Sequence, residues 1–306
     1  MKAAFIHTFG APGLLTLGER RTRTPHLNDV TVRVEAASVN PLDLHMIAGD
    51  MQQLFPAELP YVPGTDFSGV IESVGAQVTH LRSGDRVVGR TAPGVGGAFA
   101  ESLVISADDL CLIPSEMNIE QAAALPTAFG TAWQALFDVG SLQRGQRVLI
   151  HAAAGGVGSM AVQLAHQAGA YVVATASSKN LDLVRKLGAD EVIDYRSQDF
   201  EKTRDIDLVL DTVGGDTLKK SWSVLRTGGR IATLVEFGIK PMDGYSGTFV
   251  FFASATPFLP HAMRLFLTGQ LQVIIDSTFP LSEARLALEK VATRHACGKV
   301  LIRASH

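Results

Sequence analysis

The feature that most constrains this chain is an alternation of apolar runs with helical periods, beginning near residue 118. Continuous apolar runs stand at 147–151, 171–176, 191–194, 206–210 and 230–235. Strands buried on both faces of a sheet have this continuous character, and parallel strands need a crossover to connect them. Helical spacing over 159–167 and 181–187 supplies such crossovers, so the pattern predicts parallel βαβ construction.

The segments on either side of this region have a different pattern. Before residue 118, short β-like runs at 30–34, 69–74 and 86–88 are punctuated by glycine, proline, asparagine and aspartate, which predicts a compact, mostly β domain. The tail is predicted to contain a helix through 267, a strand at 273–276, a helix over 281–291 and an extended run at 299–302. If that tail pairs with the first domain, the βαβ region is an insertion within it.

Composition excludes several classes of protein. The 306 residues carry 27 Lys and Arg against 30 Asp and Glu, a net charge of −3, which gives no electrostatic reason to bind nucleic acid. A hydrophobic fraction of 46% excludes global disorder. Two cysteines are too few for a disulfide framework. The amino terminus lacks a signal-like apolar region and no run of about 18 apolar residues occurs, so we expect a cytoplasmic protein that does not enter membranes.

A glycine-rich turn follows the first predicted βαβ strand and opens its helix. In the G-x-G-x-x-G template, Ala153 takes the first glycine position, and Gly155 and Gly158 take the second and third. Glycine at 155 lets the backbone approach a pyrophosphate, and glycine at 158 lets the helix pack against the strand. The open amides of the helix start attract an anion. The alternative is a tight turn that needs glycine only for its dihedral angles, but the repeated βαβ pattern favours a bound dinucleotide.

The end of the second strand indicates which dinucleotide is bound. An acidic residue there would bind the ribose hydroxyls of NAD, but the chain reads Ser177, Ser178, Lys179. Hydroxyl and ammonium groups suit a 2′-phosphate, so we predict NADP(H). The alternative is an ordinary helix cap, and both can hold together.

Several ordered motifs resemble one known family. They are 38–43, 63–69, 97–101, 131–136, 148–158, 187–190, 192–195, 279–281 and 298–300. Together they are similar to the zinc-independent quinone oxidoreductase (zeta-crystallin-like) branch of the medium-chain dehydrogenase/reductase superfamily. The resemblance implies an α/β protein with a GroES-like β domain (1–117 and 279–306) and a doubly wound Rossmann domain (118–278). It also implies a cleft between the domains and a homodimer.

The sequence does not predict a metal site. Zinc-dependent relatives carry a cysteine near 40–43 and Gly-His-Glu where this chain has Gly64-Thr65-Asp66. Cys111 and Cys297 are too few for a four-cysteine structural zinc site. Without a Lewis acid, the expected chemistry is hydride delivery to an acceptor that is already electrophilic.

The resemblance assigns candidate catalytic residues to the amino-terminal motif. Asn40 would fix the nicotinamide ribose or the substrate, Asp43 would orient neighbouring groups, and His45, where relatives often carry tyrosine, would donate a hydrogen bond or a proton. The alternatives are a turn residue for Asn40, a helix cap for Asp43 and a half-buried histidine with a local partner for His45.

The resemblance and the glycine turn together assign the cofactor-binding residues. The predicted set is Thr127, Thr131, Ala154, Gly155, Gly156, Val157, Gly158, Ser177, Ser178, Lys179, Tyr195, Val213, Leu234, Val235, Phe251, Phe252 and Lys299. Its apolar members have a second explanation, because apolar residues at strand ends usually belong to the core.

Three functions are consistent with the sequence. The leading hypothesis is an NADPH-dependent reductase of quinones or α,β-unsaturated carbonyls (enones). The second is an enoyl-thioester reductase, which needs room for a long acyl carrier. The third is a non-catalytic NADPH-binding structural or regulatory protein, because fold and pocket alone do not establish turnover.

Overall fold

The computed structural model describes residues 1–304, which form two compact units. Of the described residues, the first unit comprises 1–127, 253–269 and 275–304, and the second comprises 128–252 and 270–274. The strands are β1 Lys2–Phe5, β2 Thr16–Glu19, β3 Asp29–Val39, β4 Asp66–Val74, β5 Arg86–Arg90, β6 Ser102–Ser106, β7 Leu110–Leu112, β8 Arg147–Ile150, β9 Tyr171–Ala176, β10 Glu191–Asp194, β11 Ile206–Asp211, β12 Leu225–Thr233, β13 Ser246–Phe249, β14 Ile275–Pro280 and β15 Lys299–Arg303. The α-helices are α1 Pro41–Ala48, α2 Ile119–Ala123, α3 Pro126–Trp133, α4 Gly156–Gln167, α5 Leu181–Lys186, α6 Gly215–Ser221, α7 Leu259–Leu267 and α8 Ala284–Ala292.

The first unit is built on a seven-stranded sheet of order β14-β15-β3-β4-β5-β7, with β6 also paired to β3. All of its pairings are antiparallel except β14 with β15. Its core contains β-branched and aromatic side chains of the sheet, including Val32 and Phe67, together with Phe99 from the segment before β6 and Leu288 of α8. β15 pairs with β3, which confirms that the tail returns to the first domain.

The second unit contains a six-stranded parallel sheet of order β10-β9-β8-β11-β12-β13. Numbered along the unit, this order is 3-2-1-4-5-6, which defines the doubly wound nucleotide-binding fold. The central strands β8, β9 and β11 are mostly apolar, and all six residues of β11 are buried. The strand order reverses between β8 and β11, and ligands of such sheets bind at the carboxyl ends beside that point.

The units divide at different residues from those expected. The boundary predicted at 117/118 lies at 127/128, because α2 packs on β3 and β4 of the first unit. The strand predicted at 273–276 is β14, Ile275–Pro280, and its place in the 118–278 domain is wrong because it pairs with β15 of the first unit. β13 was missed, since its sequence Ser-Gly-Thr-Phe carries no apolar run. Within residues 1–304, no helix has the length and apolar character required to cross a membrane.

Candidate dinucleotide site and buried polar cluster

The glycine turn joins β8 to α4 at the carboxyl edge of the parallel sheet. Gly155 caps α4 with an ordinary extended backbone, φ −77° and ψ 180°. A Cβ added there would meet only the carbonyl oxygen of Ala152, at 3.2 Å. The dihedral angles therefore do not require glycine at 155, and a Cβ there would need the Ala152 carbonyl oxygen to shift by a few tenths of an ångström. Glycine also lets another molecule approach this backbone closely.

Gly158 has the structural role expected of it. A Cβ at this position would lie 2.3 Å from the carbonyl oxygen of Ala152 and 2.8 Å from the Cα of Ala153, both backbone atoms that cannot move aside cheaply. The first turn of α4 carries no acidic side chain, and its glycine cap offers no side-chain acceptor to the first amides. The turn is therefore open to an anionic ligand such as a pyrophosphate. Ala154 is buried, whereas Gly156 and Val157 are partly exposed in this first turn.

The backbone strain of the turn lies at Ala152 and not at Ala153. Ala152 has φ +48°, in the left-handed region that alanine rarely adopts, while Ala153 is fully buried. The amide of Ala152 donates to Thr175 Oγ1 at 3.3 Å, and the amide of Ala153 donates to the Thr175 carbonyl at 3.0 Å. The end of β9 thus holds the turn in its strained conformation.

A buried histidine lies beneath the same turn. His151 Nδ1 is 3.2 Å from Thr175 Oγ1 and its Nε2 is 2.9 Å from Ser221 Oγ. The Ser221 hydroxyl donates to the Thr217 carbonyl at 2.7 Å, so it accepts from the Nε2–H of His151. Burial lowers the pKa of His151 to about 4, and the nearby charge of Asp211 opposes that effect.

The carboxyl ends of β9 and β10 lie side by side, with Asp194 opposite Ala176. Ser177 is buried, while Ser178, Lys179 and Tyr195 are exposed. The sequence argument found no carboxylate at the end of β9, but the structure brings one from β10. Ser178 Oγ donates to Asp194 at 2.5 Å.

Asp194 is an ionised and well-partnered carboxylate. The hydrogen bond from Ser178 is the main cause that lowers its pKa, and the backbone bond from Arg196 adds to it. The exposed cations Lys179 and Arg196 lie close in sequence to these strand ends, and Arg196 is 5.9 Å from the ring of Tyr195. The edge therefore carries two cations and one anion.

The loops after β11, β12 and β13 carry the predicted apolar residues. Val213, Val235 and Phe251 are exposed, and Leu234 and Phe252 are partly exposed, which is unusual for core residues. The amide of Leu234 donates to the Asp211 carbonyl, and the amide of Val235 donates to Thr233 Oγ1. Their carbonyl oxygens are thus the backbone groups left to meet a ligand. Thr131 is buried in α3.

The first unit contains a buried polar cluster where four strand ends meet. In the sheet order β15-β3-β4-β5 the neighbours are antiparallel, so the start of β15, the end of β3, the start of β4 and the end of β5 share one edge. This brings together Lys299, Asn40, Asp66 and Arg90, all of which are buried. The Asn40 side chain donates to Asp66 at 3.0 Å and accepts from Lys299 Nζ at 2.5 Å.

Asp66 is the centre of this cluster. It accepts from the hydroxyl of Thr127 at 2.6 Å and from the Thr127 amide at 3.1 Å. Arg90 Nε lies 3.8 Å from the same carboxylate and donates to Thr127 Oγ1 at 3.1 Å. Thr127 and Lys299, both predicted to contact the cofactor, are thus engaged within the cluster, and their cofactor role stays a prediction.

Asp43 has a different environment from Asp66. Its Oδ2 accepts a hydrogen bond from the backbone amide of Asn40 at 2.7 Å, and this bond forms the predicted cap of α1. Its Oδ1 is buried with no hydrogen-bond partner among the described residues. Burial raises the pKa of Asp43 to about 7, assisted by the charge of Asp66 and opposed by the Asn40 amide, Lys299 and Arg90. Asp43 is thus a buried carboxyl group with a single hydrogen-bond donor, whereas Asp66 accepts from both Asn40 and Thr127.

His45 lies on the exposed side of α1. Its Nδ1 is 3.2 Å from Asp50 Oδ2, and more than half of both side chains is accessible to solvent. The half-buried position considered for His45 is therefore wrong, although the local partner is present.

Sequence reasoning missed several residues that the structure makes central. Asp66 lies in a motif used for the family resemblance but was given no role, and Arg90 was not singled out. Asp194 and Asp211 each end an apolar strand, and a carboxylate at that position is a signal that could have found both. Within residues 1–304, no three histidine, cysteine or acidic side chains come together to hold a metal ion.

A doubly wound sheet with an open glycine turn, joined in one chain to an antiparallel β unit, defines a dinucleotide-binding protein of two units. Residues 26–115 match the family described as "Alcohol dehydrogenase GroES-like domain", and residues 187–302 match "Zinc-binding dehydrogenase". These two matches cover much of both units.

Relatives and solved structures agree with these matches. The chain is 35% identical to the NAD(P)H oxidoreductase RTN4IP1, mitochondrial, of Bos taurus, over 90% of this chain and 81% of the relative. It is 30% identical to the quinone oxidoreductase of Mus musculus over 98% and 96%. The Escherichia coli quinone oxidoreductase complexed with NADPH superposes with a TM-score of 0.88 at 26% identity, covering 99% and 100%.

The chain belongs to the medium-chain dehydrogenase/reductase superfamily, within its quinone oxidoreductase branch. It is therefore an oxidoreductase enzyme that uses a nicotinamide cofactor and a small-molecule acceptor. The predicted fold class and family are thus confirmed, and the hypothesis of a non-catalytic protein is wrong.

The prediction of a cytoplasmic location was wrong. RTN4IP1 is named as mitochondrial, and the quinone-oxidoreductase homolog of Spinacia oleracea, 32% identical over 91% of this chain and 90% of the relative, is named as chloroplastic.

Proposed function

We propose that this enzyme is an NADPH-dependent, zinc-independent reductase of quinones or α,β-unsaturated carbonyls. The observation that carries the proposal is the glycine turn before α4, where Gly155 has an extended backbone that does not itself require glycine and the first helical turn carries no acidic side chain. It fits a pyrophosphate held against the open start of α4. When bound, the reduced nicotinamide supplies the hydride.

The preference for NADPH rests on the edge formed by β9 and β10. Lys179 and Arg196 offer positive charge to a 2′-phosphate, and Tyr195 offers an exposed ring beside them. The negative charge of Asp194 disfavours a phosphate nearby, but its oxygens already accept hydrogen bonds from the Ser178 hydroxyl and the Arg196 backbone amide. Two cations against one partnered carboxylate favour NADPH over NADH.

Independence of zinc rests on the donor set. The Gly64-Thr65-Asp66 run offers one carboxylate, and that carboxylate is bonded to Thr127 and Asn40. These residues do not fit a tetrahedral zinc site, which needs nitrogen or sulfur ligands free of other partners. The name of the matching zinc-binding family does not transfer this requirement to the chain.

The protein's own groups then have distinct tasks. Asn40 and Asp43 act as positioning residues, because their side chains are buried in the cluster and hold the start of α1. His45 is the proposed proton donor, since it alone of the three predicted catalytic side chains is exposed. Reduction of an enone needs one hydride at the β-carbon and one proton at the α-carbon, and reduction of a quinone to hydroquinone needs one hydride and one proton.

A homodimer is also proposed. β13 is an edge strand of the parallel sheet, and edge strands present unpaired backbone groups to another chain. Beside it, the exposed ring of Phe237 stacks on Phe249 with centroids 4.1 Å apart. Light scattering should report twice the mass of one chain, and Phe237→Asp should halve that mass; a monomeric parent protein would refute the dimer.

The cofactor proposal is tested by three glycine replacements. Gly155→Ala should keep the fold, with a small shift of the Ala152 carbonyl oxygen that lies 3.2 Å from the new Cβ, and should weaken NADPH binding by roughly tenfold or more in calorimetry, because the added methyl would stand where the phosphate is proposed to approach. Gly158→Ala should lower the stability of the second unit, because its Cβ collides with backbone. Gly13→Ala, at an open site with an ordinary φ, is the control and should change neither. Unchanged NADPH affinity in Gly155→Ala would overturn the assignment.

A second candidate is an enoyl-thioester reductase. The CurK enoyl reductase superposes with a TM-score of 0.87 at 26% identity, covering 99% of this chain and 98% of that one. NADPH oxidation across a panel of quinones, enones and enoyl thioesters separates the two candidates. The leading proposal requires faster turnover of quinones or enones, and faster turnover of thioesters would favour the second.

A further inference from the structure

Two neighbouring strands of the second unit end in polar residues that face each other. β11 ends at Asp211 and β12 ends at Thr233, and these two residues are register partners in the parallel sheet. Both are fully buried. Each is followed by a loop at the carboxyl edge of the sheet, 212–214 after β11 and 234–236 after β12.

Asp211 holds the first loop. Its Oδ1 accepts hydrogen bonds from the amides of Val213, at 3.1 Å, and Gly214, at 2.9 Å. Its Oδ2 accepts from the hydroxyl of Thr233 at 2.7 Å. A buried carboxylate is costly unless such donors surround it, so these bonds fix the loop to the strand end.

Thr233 holds the second loop through the same hydroxyl. While its hydrogen goes to Asp211, Oγ1 accepts from the amides of Val235, at 3.2 Å, and Glu236, at 3.3 Å. The amide of Leu234 also donates to the Asp211 carbonyl at 2.9 Å. One carboxyl–hydroxyl pair therefore orders both loops together.

The loops lie at the edge where the cofactor is expected. β11 is paired with β8, and the glycine turn follows β8 directly. Thr212, in the first loop, donates from its hydroxyl to the His151 carbonyl at 3.0 Å. The loops and the glycine turn are thus joined beside the point where the strand order reverses, and they carry the exposed Val213 and Val235.

The opposite end of β11 provides a contrast. Asp207 is also buried, accepts from the Arg147 amide at 2.8 Å and forms an ion pair with Arg226. Among the described residues, Asp211 forms no such ion pair with an arginine or lysine, and its hydrogen-bond donors are two loop amides and one hydroxyl. The carboxylate of Asp211 is therefore used to order loops, whereas that of Asp207 balances a charge.

We propose that Asp211 and Thr233 are positioning residues that preorder the 212–214 and 234–236 loops to receive the nicotinamide end of the cofactor. This inference rests on the proposed dinucleotide site. Because the loops are already ordered in the free enzyme, less conformational entropy is lost when the cofactor binds. Neither side chain needs to touch the cofactor.

The test uses Asp211→Asn and Thr233→Val, with Thr233→Ser as the conservative variant. Asp207→Asn is the matched control, because it removes a buried carboxylate from the other end of the same strand. Hydrogen exchange of peptides spanning the two loops is measured first on protein without NADPH. Calorimetry then gives the NADPH dissociation constant, and steady-state kinetics give KM and kcat.

We expect Asp211→Asn and Thr233→Val to speed exchange in both loops by roughly tenfold and to weaken NADPH binding by a similar factor. Thr233→Ser should resemble the parent, and Asp207→Asn should leave loop exchange and NADPH affinity unchanged. The double variant should be no worse than the more damaging single one, because the pair acts as a unit.

Two results would overturn the inference. One is unchanged loop exchange in folded Thr233→Val, and the other is a Thr233→Ser variant as damaged as Thr233→Val. Thr233→Val is nearly isosteric, so it keeps the test informative if Asp211→Asn fails to fold. Failure of the parent protein to bind NADPH would refute the proposed cofactor instead, and loop exchange would still decide whether the pair orders the loops.

Discussion

Asp43 makes the stability of the first unit depend on pH in a defined direction. Its pKa rises from 3.8 to about 7 in the folded protein, so between these values the folded chain holds a proton that the unfolded chain releases. The stability contributed by the neutral carboxyl is complete below pH 3.8 and is lost as pH rises towards 7. About three pKa units at 1.36 kcal/mol each set an upper limit of about 4 kcal/mol.

The variant Asp43→Asn imitates the protonated carboxyl at every pH. Its amide keeps an oxygen to accept from the Asn40 amide and places an uncharged group at the buried Oδ1 position. The free energy of unfolding of the variant should therefore equal that of the parent near pH 4 and exceed it by up to about 4 kcal/mol at pH 8. The charges that oppose or assist this change, Asp66, Lys299 and Arg90, are the same in both proteins.

The measurement is urea unfolding followed by far-ultraviolet circular dichroism at several pH values, with variant and parent compared at each. Glu58→Gln is the control, because it removes an exposed carboxyl group of the same unit. Its stability difference from the parent should stay constant. An Asp43→Asn difference that is the same at pH 4.5 and pH 8 would refute the argument that burial governs this carboxyl.

Further predictions concern the cofactor edge, the buried histidine and metal. Lys179→Ala should weaken NADPH binding roughly tenfold more than NADH binding, since only NADPH carries the extra phosphate. The control Lys186→Ala, which removes an exposed lysine at the end of α5, should change neither affinity. Equal losses of NADPH and NADH affinity in Lys179→Ala would contradict the 2′-phosphate assignment. Because burial lowers the pKa of His151 to about 4, the free energy of unfolding of the second unit should fall by up to about 3 kcal/mol as the pH drops from 6.5 to 4. Unfolding is measured by the fluorescence of Trp133 and Trp222. His151→Gln should reduce this pH dependence. Elemental analysis should find less than stoichiometric zinc, and chelators should leave turnover unchanged; stoichiometric zinc would disprove the metal-free proposal.

The sequence predicted the parallel sheet well because local patterns determine it. β9 and β10 have the predicted bounds, and the helix after the glycine turn was found from its period. β13 was not found, because a strand of Ser, Gly, Thr and Phe at a sheet edge has neither alternation nor apolar continuity. β14 joins the sheet of the first unit because it pairs with β15, which begins more than 18 residues further along the chain. No local sequence pattern indicates that pairing.

The candidate site was predicted in part for the same reason. Gly155 and Gly158 act within one short turn, and their different roles follow from a local template. Asp66 and Lys299 meet only because four strand ends share an edge, so their cluster has no signature in any window of sequence. Asp194 was missed because the prediction of the cofactor used only the end of β9, whereas the neighbouring strand β10 supplies the carboxylate.

The place of β15 beside β3 has a consequence for biosynthesis. β15 covers residues 36–39 of β3, beside the part that β6 covers, and it begins only at Lys299, so a ribosome adding roughly 5–20 residues per second leaves residues 36–39 bare on that side for roughly 10–50 s. The second unit, contained between them, emerges complete before the first can close. An exposed strand edge held open for that time invites pairing with other nascent chains, so truncation before residue 299 should yield aggregates even though the nucleotide-binding unit is intact.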